Sequence, residues 1–194
     1  MSTLYLMRHG QTYFNVWHKV QGVTDSPLTE AGINQAKEVG KYFKEHNINF
    51  DEAYSSTSER ACDTLEYVTG FTQHQYDRMK ELKEWNFGSF EAQDERLNPP
   101  VPYGDFFVKY GGEDQKEVGQ RMYTAIYKIM SKAKQNENVL IVSHAGAIFN
   151  FFRAANFDLK EIRKIKFTNC SVAKIEFKDN KFKYLTTLNP ALSS

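Results

Sequence analysis

Two histidines in this chain stand directly behind apolar runs and directly before glycine-containing turns. Leu4-Tyr5-Leu6-Met7 leads into Arg8-His9-Gly10, and Val139-Leu140-Ile141-Val142-Ser143 leads into His144-Ala145-Gly146. A strand that stops at a basic pair and a glycine suits an imidazole nucleophile held beside a phosphate. The arginine supplies a forked donor for phosphate oxygens. The glycine lets the backbone turn sharply and lets a ligand come close. Two strands that each deliver a histidine to one sheet edge imply a single anion site built from both ends of the chain.

Arg60 and Glu84 extend this set to five groups: Arg8, His9, Arg60, Glu84 and His144. Two arginines and a second histidine around a nucleophile match the needs of phosphoryl transfer. The transferring group keeps its charge on three equatorial oxygens, so catalysis is mostly positioning and electrostatics. A neutral imidazole attacks phosphorus without first losing a proton, giving a phosphohistidine. The leaving alkoxide then needs a proton, which a carboxylic acid such as Glu84 supplies. The same carboxylate can next activate water to hydrolyse the intermediate. The basic residues carry the charge stabilisation, so neither metal nor cofactor is expected. Arg60 falls in the first turn of a predicted helix, where the positive end of the helix dipole disfavours a cation. That misfit points to function.

The elements that must position these groups read as alternating strands and helices. Leu4 to Met7 is a short buried strand. Residues 9–28 are polar and irregular. Thr29 caps a helix with Ala36, Val39, Gly40 and Phe43 on one face, ending at His46-Asn47. Ala53-Tyr54-Ser55 is a weak strand, followed by a helix over about 58–68 with Ala61, Leu65 and Val68 buried. Residues 70–112 lack periodicity and hold Pro99, Pro100 and Pro102. A helix over about 114–134 buries Val118, Met122, Ile126, Ile129 and Ala133. Val139 to Val142 is the clearest strand, and a helix runs from Ala145 to about Ala155. Val172 to Phe177 and Phe182 to Leu188 form a hairpin around Lys178-Asp179-Asn180-Lys181. The pattern predicts an α/β three-layer sandwich, a mostly parallel mixed sheet with helices on both faces. Ligands in such sheets bind beyond the carboxyl ends of the strands. His9, Ser56 and His144 all follow predicted strands there.

The bulk properties set the frame. The 194 residues are expected to form a single domain, 1–194, with an irregular lid-like insert at about 85–112. A net charge of +1 speaks against non-specific nucleic-acid binding. No stretch reaches the roughly 20 apolar residues of a membrane span, and no signal-peptide pattern opens the chain. Cys62 and Cys170 form no motif and are expected to be reduced, buried thiols of a cytoplasmic protein. The composition does not reveal an oligomeric state.

The motifs, taken in order, resemble the histidine phosphatase superfamily on its phosphoglycerate mutase-like branch. They begin with Arg8-His9-Gly10-Gln11-Thr12 and Asn15, then Gln21-Gly22, Asp25-Ser26-Pro27-Leu28-Thr29, Gly32 and Gln35-Ala36. Ser55-Ser56, Arg60-Ala61, Thr64, Leu82, Glu84, Gly88, Glu91, Gly112-Glu113 and Arg121 follow. Val142 to Gly146 and Asn169-Cys170-Ser171-Val172 close the series. The resemblance implies a phosphoglycerate mutase-like fold, His9 as the phosphorylated nucleophile and Glu84 as the proton donor. It implies that Arg8, Arg60 and His144 hold phosphoryl oxygens, and that Asn15, Gln21, Gly22 and the Ala145 amide line the phosphate pocket. The implied activity is metal-independent hydrolysis of a small phosphomonoester. A cofactor-dependent phosphoglycerate mutase is the alternative, and a non-catalytic phospholigand-binding module the third.

The chain departs from the family pattern at Ser58, where an aliphatic residue is common. It departs again at Ala92, where Phe90-Glu91-Ala92 replaces an aromatic-Glu-Gly sequence. The second departure bears on the geometry of the insert. Its aromatics, Phe87, Phe90, Tyr103, Phe106, Phe107 and Tyr110, either pack the insert onto the body or select an apolar ester.

Overall fold

The computed structural model describes residues 1–164 and 167–192. Its strands are β1 (Ser2–Arg8), β2 (Glu52–Ser56), β3 (Asp77–Met79), β4 (Asn138–Ser143), β5 (Val172–Lys178) and β6 (Lys181–Leu188). They form one sheet in the order β3-β2-β4-β1-β5-β6. Strands β1 to β4 run parallel; β5 pairs antiparallel with β1, and β6 antiparallel with β5. The helices are α1 (Tyr13–Val16), α2 (Glu30–Glu45), α3 (Glu59–Thr69), α4 (Gln115–Met130), α5 (Ala145–Ala154) and α6 (Leu159–Lys164).

The sheet is covered on both faces, which explains why its central strands are apolar without alternation. Successive side chains of a strand point to opposite faces. Leu4 and Leu6 of β1, with Val139 and Ile141 of β4, enter the core shared with Val118, Met122 and Ile126 of α4 and Ile148 and Phe151 of α5. Tyr5, Met7, Leu140 and Val142 enter the other core, with Ala36, Val39 and Phe43 of α2 and Ala61 and Leu65 of α3. Each such fully buried aliphatic side chain contributes about 1.5–3 kcal/mol.

Local chemistry sets the element ends. Thr29 accepts a hydrogen bond from the Gly32 amide at the start of α2, and Asp114 forms a capping box with Glu117 at the start of α4. Gly70 ends α3 in the left-handed conformation. Asp179 and Asn180 both have positive φ in the β5–β6 turn, as a two-residue hairpin requires.

The structure adds short elements, among them α1, β3, α6 and several single 3-10 turns in the insert. Helix α4 stops at Met130, short of the expected end near 134, yet Ala133 still packs against the core. Cys62 and Cys170 are buried free thiols. Among the described residues no helix is long and apolar enough to cross a membrane.

Candidate active site

The three adjacent strands β2, β4 and β1 end side by side, and their carboxyl ends carry Ser56, His144 and His9. The chain leaves β1 toward β2 and leaves β4 toward β5, in opposite directions along the sheet. The reversal opens a crevice between β1 and β4, the place where open α/β sheets bind ligands. His9 and His144 flank it, with ring centroids 5.2 Å apart.

His9 is almost fully buried. Its Nδ1 lies 2.7 Å from the Gly10 carbonyl oxygen. A carbonyl only accepts, so Nδ1 carries the proton and Nε2 keeps its lone pair. Burial, followed by the nearby charges of Arg60 and Arg8, holds the imidazole well below its ordinary pKa. The ring is therefore neutral near pH 7. Gly10 itself serves close packing: a Cβ there would meet the Gly32 carbonyl oxygen of α2 at 2.7 Å.

His144 is fully buried, and its Nε2 lies 2.8 Å from Ser56 Oγ. Its pKa too is held well below the usual value, by burial first and then by Arg60. Its Nδ1 has no hydrogen-bond partner among the described residues, and neither do Nε of Arg8 and Nε of Arg60. Buried polar atoms are nearly always paired. The orphaned nitrogen of His144 and those of two neighbouring arginines suit an anion. Burial lowers the Arg8 pKa, while the Glu84 carboxylate acts to raise it. Cys170 approaches the same floor, its amide 3.2 Å from the His9 carbonyl oxygen. Burial pushes its thiol up to about 12, so it is no thiolate nucleophile.

Glu84 stands at the amino end of α5. Its carboxylate accepts from the amides of Trp85 at 2.9 Å, Gly146 at 2.9 Å and Ala147 at 2.7 Å. Its backbone is gripped by Arg121, which donates to the carbonyls of Glu81, Lys83 and Glu84 and pairs with Glu113 at 2.7 Å. Glu84 is thus buried and oriented, unlike a solvated loop glutamate. The amides of Gly146 and Ala147 are taken by this carboxylate, so the free start of α5 is limited to Ala145.

Arg60 is fully buried, but its terminal nitrogens reach the loop at 22–25. They donate to the carbonyls of Gly22 and Thr24 at 3.0 Å each and to Asp25 at 2.8 Å. Asp25 also accepts from the first amide of α3, that of Glu59. The unfavourable seat of a cation at a helix start is thereby offset. Glu91 holds the same loop from the opposite side, accepting from the amides of Gly22, Val23, Thr24 and Phe87. The Gly22 amide and carbonyl are therefore both committed within the protein, and the phosphate-facing role expected of them needs these bonds to open. Asn15 Oδ1 accepts from Thr12 and Asn169, and Asn169 also donates to the His9 carbonyl. Gln21 bonds Thr12 and Ser26. Both residues belong to the wall that carries His9.

Ala92 keeps a left-handed backbone (φ 63). The insert therefore retains the turn that a glycine would take easily. Its aromatics form one cluster centred on Phe107, which is fully buried against Trp85, Phe87, Phe90, Tyr103 and Phe106. Tyr103 is set apart. It is only partly buried, and burial followed by the negative charge of Glu84 raises the pKa of its hydroxyl. His18 is exposed and paired with Glu95, His46 caps the end of α2, and His74 is exposed.

The bonds made by Ser56, Glu91 and Arg121 join residues far apart in the chain, so only the fold reveals them. All three stand in the motif series, but nothing in their spacing showed what they hold.

A relative from Bacillus subtilis (strain 168), named "Uncharacterized phosphatase PhoE", is 29% identical over 187 residues, 94% of this chain and 92% of that protein. The crystal structure of a phosphoglycerate mutase from Bacillus anthracis str. Sterne superposes with a TM-score of 0.82 at 29% identity, covering 95% of this chain and 92% of that one. A phosphoserine phosphatase from Entamoeba histolytica, in complex with 3-phosphoglyceric acid, superposes with a TM-score of 0.78 at 26% identity, covering 96% of each chain. The family model for the histidine phosphatase superfamily (branch 1) matches residues 4–190. With that match over nearly its whole length, this chain belongs to the histidine phosphatase superfamily.

Proposed function

We propose that this protein is a metal-independent phosphomonoester hydrolase that acts through a phosphohistidine on a small phosphorylated metabolite. The observation that carries the reading is the His9 ring. Its proton is committed to the Gly10 carbonyl, and its Nε2 is a neutral nucleophile beside the unpartnered nitrogens of Arg8 and His144. His9 Nε2 attacks phosphorus; the P–N bond forms as the ester P–O bond breaks, and the leaving oxygen takes a proton from Glu84. A water then attacks phosphorus, giving its proton to the Glu84 carboxylate. Inorganic phosphate leaves and the imidazole is restored. Arg8 and His144 stabilise charge on the equatorial oxygens, and Arg60, whose terminal nitrogens are held by the loop at 22–25, adds its charge and its unpartnered Nε. Asn15, Gln21, Gly22 and Ala145 shape the pocket around them.

The likeness to a phosphoglycerate mutase favours one second reading, transfer of the phosphoryl group between two positions of a substrate. A mutase must hold a second phosphate. Here Arg96 of the insert is already paired with Asp94 at 2.7 Å. That environment supports hydrolysis. The test is phosphate release from p-nitrophenyl phosphate and a panel of natural esters, with EDTA present, for the unaltered protein and His9→Ala. Release that vanishes in the variant is expected. Inhibition by EDTA overturns the metal-free mechanism. Absence of release from every ester moves the weight to bisphosphoglycerate-primed mutase activity or to phospholigand binding alone.

A further inference from the structure

Ser56 lies at the carboxyl end of β2, fully buried, and takes no part in the chemistry described so far. Its Oγ has two partners among the described residues. It accepts from the Ser58 amide at 3.2 Å and lies 2.8 Å from Nε2 of His144. A hydroxyl has one proton to give. With a donor already at Oγ and His144 Nε2 as the remaining neighbour, that proton goes to Nε2. The opposite arrangement would put two donors on Oγ and leave its own proton buried without an acceptor, which is unfavourable.

We infer that Ser56 is a positioning residue for phosphoryl transfer: it donates to Nε2 of His144 and so fixes the tautomer that presents Nδ1–H to a phosphoryl oxygen bound at His9. The orphaned Nδ1 and the 5.2 Å spacing of the two rings are the independent observations. A neutral histidine exposes one donor and one acceptor, and the bond made by one nitrogen decides which the other becomes. Without Ser56 the ring is free to turn a lone pair toward the phosphoryl oxygens, which repels them. This inference rests on the phosphoryl-transfer reading of the site for its kinetic consequence, though not for the tautomer itself.

Two measurements test it. Ring-nitrogen NMR of the histidine-labelled protein should find His144 protonated at Nδ1 and bare at Nε2; a proton on Nε2 overturns the inference. Ser56→Ala should lower kcat/KM about tenfold, the worth of one hydrogen bond. The asparagine of His144→Asn places an amide N–H near the position of Nδ1 but is too short to reach Ser56. In that background Ser56→Ala should cost nothing further. The Ser58 amide loses its partner in both backgrounds, so the comparison cancels that effect. Equal losses in both backgrounds overturn the positioning role. If no ester turns over, the phosphoryl-transfer reading fails, and the NMR result still decides the tautomer.

Discussion

The carboxylate of Glu84 sits on the amino end of the helix that begins immediately after His144, 2.7 Å from the Ala147 amide and 2.9 Å from that of Gly146. The proposed proton donor and the second histidine therefore share one rigid support. Gly146 is required by this arrangement, because a Cβ there would stand 2.7 Å from Oε1 of Glu84. Glu84→Gln should impair esters with poor leaving groups far more than esters with good ones, since a good leaving group needs little protonation. A ratio of kcat/KM between phenyl and p-nitrophenyl phosphate that falls at least tenfold is expected. Equal losses on both esters would sink Glu84 as the acid.

Ala92 occupies a conformation that disfavours a Cβ, with φ at 63. Its amide donates to the Val20 carbonyl at 2.9 Å, so the strained residue also joins the insert to the loop ahead of Gln21. Ala92→Gly should stabilise the fold by about 1 kcal/mol. Urea denaturation would show this as a higher midpoint with an unchanged slope. A lower midpoint would mean that the greater freedom of glycine in the unfolded chain outweighs the relieved strain.

Both buried histidines make stability depend on pH. Their folded pKa values lie well below 6.5, whereas in the unfolded chain each takes up a proton near 6.5. Between the two values the unfolded state binds more protons, so acid favours unfolding. Their contribution is complete above about pH 7 and declines as pH falls through about 6.5 and below. Each histidine can contribute up to about 1.4 kcal/mol per pH unit. Unfolding free energies at pH 7.5 and 5.5 should differ by up to about 2–3 kcal/mol, with His9→Asn removing roughly half. Asp63, whose carboxyl is pushed up to about 6 by burial, acts in the opposite direction, so the decisive comparison is between the two proteins. Identical pH profiles for His9→Asn and the unaltered protein would contradict the depressed value of His9.

Tyr103 and Phe107 should separate the two readings of the aromatic insert. Phe107 is fully buried, so Phe107→Ala should cost about 3–5 kcal/mol of stability and leave the ranking of substrates unchanged. Tyr103 is only partly buried at the edge of the cluster, so Tyr103→Ala should alter that ranking while costing less stability. Identical rankings for Tyr103→Ala and the unaltered protein, over an ester panel, would leave packing as its whole role.

The sequence by itself determined the parts whose causes are local. Continuous apolar runs, capping residues and the Asp179-Asn180 turn specify their elements through backbone sterics and hydrogen bonding within a few residues. The same text placed His9 and His144 at strand ends. Elements such as β3 and α1, with three and four residues, are too short to show a period, so only pairing and packing reveal them. Strand order was likewise decided by the tertiary structure, and with it the crevice between β1 and β4. So were the partners of long polar side chains. Arg60, expected on the phosphoryl group, spends its terminal donors on the loop at 22–25, and Ser56 meets a histidine 88 residues away. A side chain's residue type states what bonds it can make. Which of them it makes depends on which groups folding buries beside it, because a buried donor must pair with whatever acceptor the packed chain brings within reach.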